Sequence, residues 1–83
     1  MLTIKVLGSG CANCKRLEQM ASKAVKNMAL EAEIIKVTEY QEIMEYDILS
    51  TPGLVINENL VSSGRIPSAS EITTFLTTAL EKQ

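Results

Sequence analysis

Two cysteines separated by two residues, Cys11 and Cys14, are the side chains in this sequence best suited to chemistry. They lie in Gly8-Ser9-Gly10-Cys11-Ala12-Asn13-Cys14-Lys15, where a short apolar run gives way to a helical pattern. Positions i and i+3 of a helix share a face, so the two sulfurs can meet without large backbone movement. A helix start also presents unpaired N–H groups and the positive end of the helix dipole. Both favour a thiolate, which is the reactive form of the side chain. Lys15 and Arg16 add positive charge nearby and could lower a thiol pKa further, although ordinary solvated residues of a first turn account for them more simply.

Two chemistries use such a pair: thiol–disulfide exchange and soft-metal binding. A closed zinc site needs four ligands, and this chain offers two Cys and no His. Zinc would therefore need a second copy, whereas copper(I) would accept fewer ligands. The lack of histidine also excludes Ser-His-Asp and Cys-His hydrolases in their usual form. Gly8-Ser9-Gly10 is not a phosphate loop. Asn13 stands where the dinucleotide fingerprint needs its later Gly, and no Gly-Lys-Ser/Thr follows.

The sequence has 83 residues, nearly half of them apolar, and a formal net charge of −2. That is enough for one modest core, so a single domain over 1–83 is expected. An acidic balance gives no footprint for nucleic acid or an anionic membrane. No apolar stretch approaches the roughly 20 residues of a membrane span. Lys5 interrupts an N-terminal run already too short for a signal peptide. A cytoplasmic location is the expectation. In that compartment a cysteine pair is more often catalytic or metal-binding than structural. Nothing in the sequence calls for more than a monomer.

The elements that must position the pair follow from hydrophobic period. Leu2 to Leu7 reads as a strand, with Ile4 and Val6 on one face and Thr3 and Lys5 on the other. A helix begins at the cysteines, with Leu17, Met20, Ala21, Ala24, Val25 and Met28 as its apolar face. Arg16, Glu18, Gln19, Lys23, Lys26 and Asn27 fall on the opposite face. Glu31 to Val37 reads as a second strand, parallel to the first through a right-handed crossover. Thr38-Glu39-Tyr40-Gln41 matches a capping box for a short helix with Tyr40, Ile43 and Met44 turned inward. Pro52 stops that region, and Thr51 before it is pushed to an extended shape. Leu54-Val55-Ile56 and Leu60-Val61-Ser62 form a hairpin across Asn57-Glu58-Asn59, with Gly64 at a bulge or strand end. Ser68 and Glu71 make a second capping box for a last helix, whose stripe is Ile72, Phe75, Leu76, Ala79 and Leu80.

The order βαβ-α-ββα, with C-x-x-C at the first strand-to-helix turn and Thr51-Pro52 before the third strand, resembles the thioredoxin-like superfamily. The short length, the Gly8 to Cys14 stretch, Thr51-Pro52-Gly53-Leu54-Val55-Ile56-Asn57 and Ser63-Gly64-Arg65-Ile66-Pro67-Ser68 are similar to the small archaeal and bacterial proteins called redox-active disulfide protein 2. The resemblance implies a thioredoxin/glutaredoxin-like α/β fold with a four-stranded mixed sheet in the order 2-1-3-4. The first and third helices would cover one face and the second helix the other. It implies thiol–disulfide oxidoreduction on protein disulfides, with Cys11 as attacking thiol and Cys14 as resolving thiol. Pro52 would follow a cis peptide bond and lie against the disulfide, and Thr51 would offer its backbone to a substrate strand. Ala12, Thr51, Pro52 and Gly53 are the expected substrate-binding positions, with an apolar rim near Ala12, Thr51, Gly53 and Ile66 as the candidate docking surface, for which scattered surface apolar groups account equally simply. No bound cofactor and no metal are implied. A thioredoxin-reductase-like enzyme or a small thiol would recycle the pair.

The chain also departs from the thioredoxin pattern. It has no Trp, Ala12-Asn13 stand between the cysteines, and residues 1–10 contain no acid. Many thioredoxins keep a buried carboxylate beneath the motif. The competing reading is a soft-metal carrier on the same two cysteines. Ferredoxin-like copper chaperones also carry C-x-x-C after a first strand. They have Met before the motif and end in a strand, whereas here Ser9-Gly10 precede Cys11 and a helix comes last.

Overall fold

Alternation of burial along Leu2–Leu7 sets the frame of the molecule. In this computed structural model, which describes residues 2–8, 12–46, 48 and 50–81, that segment is strand β1 at the centre of the sheet. Leu2, Ile4 and Val6 are buried on one face, while Thr3 and Lys5 on the other are half-exposed. The remaining elements are α1 (Ala12–Asn27), β2 (Ala32–Val37), α2 (Tyr40–Met44), β3 (Gly53–Ile56), β4 (Asn59–Ser63) and α3 (Ala69–Glu81).

The sheet order is β2-β1-β3-β4. β1 runs parallel to β2, from Leu2 opposite Ala32 to Leu7 opposite Val37. It runs antiparallel to β3, from Ile4 opposite Ile56 to Leu7 opposite Gly53. β3 and β4 form the expected hairpin. Its turn places Asn57 and Glu58 at positive φ (50° and 68°), the twist that a two-residue hairpin turn requires. Asn57 also closes the neighbouring strand: its N–H donates to the Thr3 carbonyl at 2.8 Å and its Oδ1 accepts the Thr3 N–H at 3.0 Å. The bulge lies within the hairpin, where Leu54 faces Ser62 but Val55 faces Leu60, leaving Val61 as the extra residue. Gly64 instead follows the strand end, at φ 75°.

Strand parity divides the apolar residues between two cores. Leu2, Ile4, Val6, Leu54 and Ile56 pack under Leu17, Ala21 and Ala24 of α1 and Ile72 and Leu76 of α3. Met20, Val25, Met28, Phe75 and Ala79 are partly buried around them. Leu7, Val37 and Val55 face the other way, under Ile43 of α2 and Ile48. The helices thus lie as the resemblance implied, two on one face and one on the other.

The second face differs from expectation in its details. Ile43 is the buried residue of α2, while Tyr40 is 73% and Met44 46% exposed. A five-residue helix makes little more than one turn, so one side chain reaches the sheet and the others project outward. The expected Thr38–Gln41 capping box is absent; Glu39 is the N-cap and makes no side-chain cap bond. Part of the work of covering this face passes to a polar cluster. The Lys5 ammonium donates to Tyr46 Oη at 2.8 Å, pairs with Glu58 at 2.6 Å and lies 5.5 Å from the Tyr46 ring centre. Glu58 first and Tyr46 second hold Lys5 above the ordinary lysine range.

The other capping box forms as read. Glu71 N–H donates to Ser68 Oγ at 3.2 Å, and Ser68 N–H donates to Glu71 Oε1 at 3.3 Å. Arg65 adds a paired contact to the same carboxylate, at 3.2 and 2.6 Å. These donors, the Arg65 guanidinium first, hold Glu71 below the usual carboxylate value. Their contribution is therefore present above the ordinary carboxylate range and fades as pH falls through the lowered value. Ser68→Ala is expected to cost about 1 kcal/mol. A urea midpoint shift at unchanged slope would record it, and an unchanged midpoint would count against the cap.

Candidate active site

The parallel strands β1 and β2 end side by side, with Leu7 opposite Val37, and the Gly8 N–H donates to the Val37 carbonyl at 3.0 Å. The chain then passes to α1, whose first turn carries Cys14. Ser9, Gly10 and Cys11 lie outside the described residues. Cys14 is disulfide-bonded and only 6% exposed. Gly8 is the residue that lets its sulfur sit so close to the strand. A Cβ on Gly8 would fall on Cys14 Sγ, and would also lie 3.4 Å from Cys14 Cβ and 3.7 Å from Thr51 Cβ. Glycine, with no Cβ, is the residue for such an approach of backbone to side chain.

The antiparallel pairing of β1 and β3 brings the second motif to the same place. Gly53 stands opposite Leu7, so the residues just before it meet those just after Leu7. Thr51 is exposed and Pro52 buried, and the Thr51–Pro52 peptide is cis. The Pro52 carbonyl accepts the Gly64 N–H at 3.0 Å, and a Cβ on Gly64 would meet Ser50 Oγ. The segment after β4 is thereby held against the segment before β3. Of the predicted substrate-binding positions, Ala12 and Thr51 are exposed, whereas Pro52 and Gly53 are buried; Ile66 is half-buried. An added Cβ on Gly53 would meet Ile48, and its neighbours at 3.3 and 3.4 Å are Leu7 side-chain atoms. It belongs to the floor of the site, not its rim.

One cleft opens beside the cysteine. It has a volume of about 120 Å³ and is lined by Gly8, Cys14, Lys15, Glu18, Lys36 and Thr38, among others. Lys36 and Glu18 form an ion pair across it at 3.2 Å. Periodicity assigned Glu18 to the solvent side of α1, yet its side chain is only 32% exposed. Two signals in the sequence pointed to this cleft: Glu18 is four residues after Cys14, on the same helix face, and Lys36 has the parity of Ile34 and Val6. Cys14 thus has a charged pair beside it although residues 1–10 carry no acid. Among the described residues, no group of three or more Cys, His, Asp or Glu converges as a metal site, and no helix is long and apolar enough to cross a membrane.

Comparison with known proteins gives a consistent result. A family model for the thioredoxin domain matches residues 2–77. A thioredoxin of Methanothermobacter thermautotrophicus is 40% identical over 76 residues, covering 92% of this chain and 99% of its own. A thioredoxin of Methanocaldococcus jannaschii is 38% identical over 81 residues, covering 98% of this chain and 93% of its own. Among solved structures, thioredoxin 1 of Thermosipho africanus superposes with a TM-score of 0.61 at 24% identity, over 96% of each chain. The oxidised thioredoxin of Plasmodium falciparum does so with 0.63 at 23% identity, over 93% of this chain and 79% of its own. The structures share the fold with this chain.

Proposed function

Because this chain belongs to the thioredoxin family, and is a thiol–disulfide oxidoreductase with it, we propose that Cys11 and Cys14 are its working couple and protein disulfides its substrates. The Cys11 thiolate attacks one sulfur of a substrate disulfide. A bond forms between Cys11 and that sulfur, and the other substrate sulfur leaves with the bonding electrons and takes a proton. Cys14 then gives up its proton and attacks Cys11 Sγ. The Cys11–Cys14 bond forms, the mixed disulfide breaks, and the second substrate sulfur departs as a thiolate and is protonated. Two electrons have passed to the substrate, and the reverse sequence oxidises a dithiol. No bound cofactor is required, since the sulfurs carry the electrons. A reductase or a small thiol restores the dithiol.

The observation that supports this reading most is the placement of Cys14, disulfide-bonded in the first turn of α1, against Gly8 and beside Thr51–Pro52. Helix-start N–H groups favour thiolate character in that turn. Exposed Ala12 and Thr51 would meet an extended substrate segment, with Pro52 and Gly53 as the floor beneath it.

The test is a redox equilibrium in dithiol buffers, with free thiols trapped by alkylation and counted by mass. Reversible loss of two alkylatable thiols is expected, at a potential roughly between −120 and −300 mV. A protein that keeps both thiols in oxidising buffer would overturn the proposal and turn attention to copper or zinc at the same sulfurs.

A further inference from the structure

We propose that the outer face of α1, with the cleft between α1 and α3, is the docking surface for an acidic amphipathic segment of a partner protein. That such a segment seats here is independent of the redox reading above; its delivery to the cysteine pair rests on that reading.

The inference comes from where the charge lies. α1 carries four of the chain's eight cations, Lys15, Arg16, Lys23 and Lys26, and one of its ten acids, Glu18. The helix is therefore +3, and the rest of a chain of net charge −2 is −5. Glu18 is taken up by Lys36. Among the described residues, Arg16, Lys23 and Lys26 enter no ion pair. Ala12, Arg16, Gln19, Lys23 and Lys26 recur at steps of four and three residues, the spacing of a single helix face, and all five are exposed. The stripe they form holds no acid. It starts between the cysteines, at Ala12, and carries three cations over about 15 Å.

Shape narrows the occupant. Lys23 stands between two clefts. One, of about 300 Å³, is lined by Gln19, Ser22, Lys23 and Lys26, among others. The other, of about 310 Å³, lies between the helices and is lined by Met20, Ala24 and Asn27 of α1 and Ala69 and Thr73 of α3. Apolar side chains of a partner fit the second cleft, where the Met20 side chain can adapt its shape, while carboxylates reach Arg16, Lys23 and Lys26 along its edge. An amphipathic helix of about three turns supplies both at the required spacing. A nucleic acid or an anionic bilayer offers a wider field of negative charge, which the −5 carried elsewhere on the chain repels. A phosphate backbone also has no apolar group for the cleft.

The experiment follows backbone amide shifts of the full nitrogen-15-labelled chain as a cysteine-free helical peptide is added, with Glu on one face and Leu on the other. Perturbed amides are expected at Gln19, Lys23 and Asn27 of α1 and at Ala69 and Thr73 of α3. A peptide with Gln in place of Glu should bind about tenfold more weakly, as the loss of three exposed ion pairs would give. Raising salt from about 0.01 M to about 1 M, which cuts the screening length from about 30 to about 3 Å, should remove that difference. Lys23→Glu with Lys26→Glu should reverse the preference, toward a peptide with Lys in place of Glu. Lys23→Gln with Lys26→Gln, a milder change, should leave little preference at all. No binding, equal binding of the three peptides or perturbation confined to other surfaces would overturn the inference. Perturbation of the stripe by phosphatidylglycerol vesicles and not by the Glu peptide would also overturn it, and would assign the stripe to a membrane. The peptide has no cysteine and binding is read with and without reductant, so failure here is separate from failure of the redox couple.

Discussion

Cys14→Ser is expected to leave the protein joined to its substrate. Cys11 can still attack a disulfide, because nothing in that step needs the second sulfur. The following step loses its nucleophile, since a hydroxyl at this position forms no anion near neutral pH. Well-oriented internal groups reach effective molarities of about 10⁵–10⁸ M, which an external thiol at ordinary concentration cannot match. Turnover should therefore fall by at least about a thousandfold. The mixed disulfide should accumulate as a species heavier by the mass of the substrate and be released by reductant. Cys11→Ser should be equally inactive but form no such adduct. The difference between the two variants tests the assignment of roles: an adduct on Cys14 in place of Cys11 would reverse it, and near-parental turnover in Cys14→Ser would dismiss it. Incubation with a model disulfide, acid quenching and mass measurement would supply the answer.

Gly8→Ala is the substitution expected to damage both stability and activity. Its Cβ would clash with Cys14 Sγ. Gly8 is buried and its N–H is tied to the Val37 carbonyl, so the strand end cannot simply move aside. The first turn of α1 must shift instead, and overpacking of this kind costs about 1–3 kcal/mol. The displaced sulfur would also be worse placed for the second attack, so adduct resolution should slow. The cause can be isolated by a double-mutant cycle. If the clash is with the sulfur, Gly8→Ala should cost much less in a Cys14→Ala background, measured by urea unfolding under reducing conditions. An equal cost in both backgrounds would point to the backbone at Gly8 instead, and no cost in either would remove the argument.

These two positions differ in how visible they are in the sequence. The cysteine pair declares itself by spacing, because helix geometry alone brings i and i+3 to one face. Gly8 stands in a Gly-Ser-Gly stretch that shows nothing locally beyond a turn. Its need for a bare α-carbon comes from a backbone at φ 155° and from the packing of α1 across the end of β1. Pro52 and Gly53, two of the expected substrate-binding positions, are buried. The pairing of Gly53 with Leu7 puts them beneath the site, and no local pattern encodes that depth.

The helices make the same point. α1 and α3 are long enough for a 3.6-residue period to pick out Leu17, Ala21, Ile72 and Leu76, all buried. The Ser68–Glu71 cap was legible because both partners lie within one turn. α2 was not: over five residues the period hardly repeats, so Tyr40 and Met44 could not be told from Ile43. Capping signals there also lost to the path of the loop, which made Glu39 the cap instead of Thr38.

What the sequence by itself determined was therefore what depends on near neighbours and regular repetition. Element order, strand parity and the reactive pair all follow from spacings of two to four residues, whereas the two-sided core was what the family resemblance implied. Tertiary structure decided what depends on distant segments meeting. It brought Thr51–Pro52 to the end of β1 and required glycine at position 8. It also drew Glu18 and Lys36 together in the cleft beside Cys14, from a helix and a strand. The physical reason is range: propensity and period are set along the chain, whereas close contacts and charge pairs are set across it.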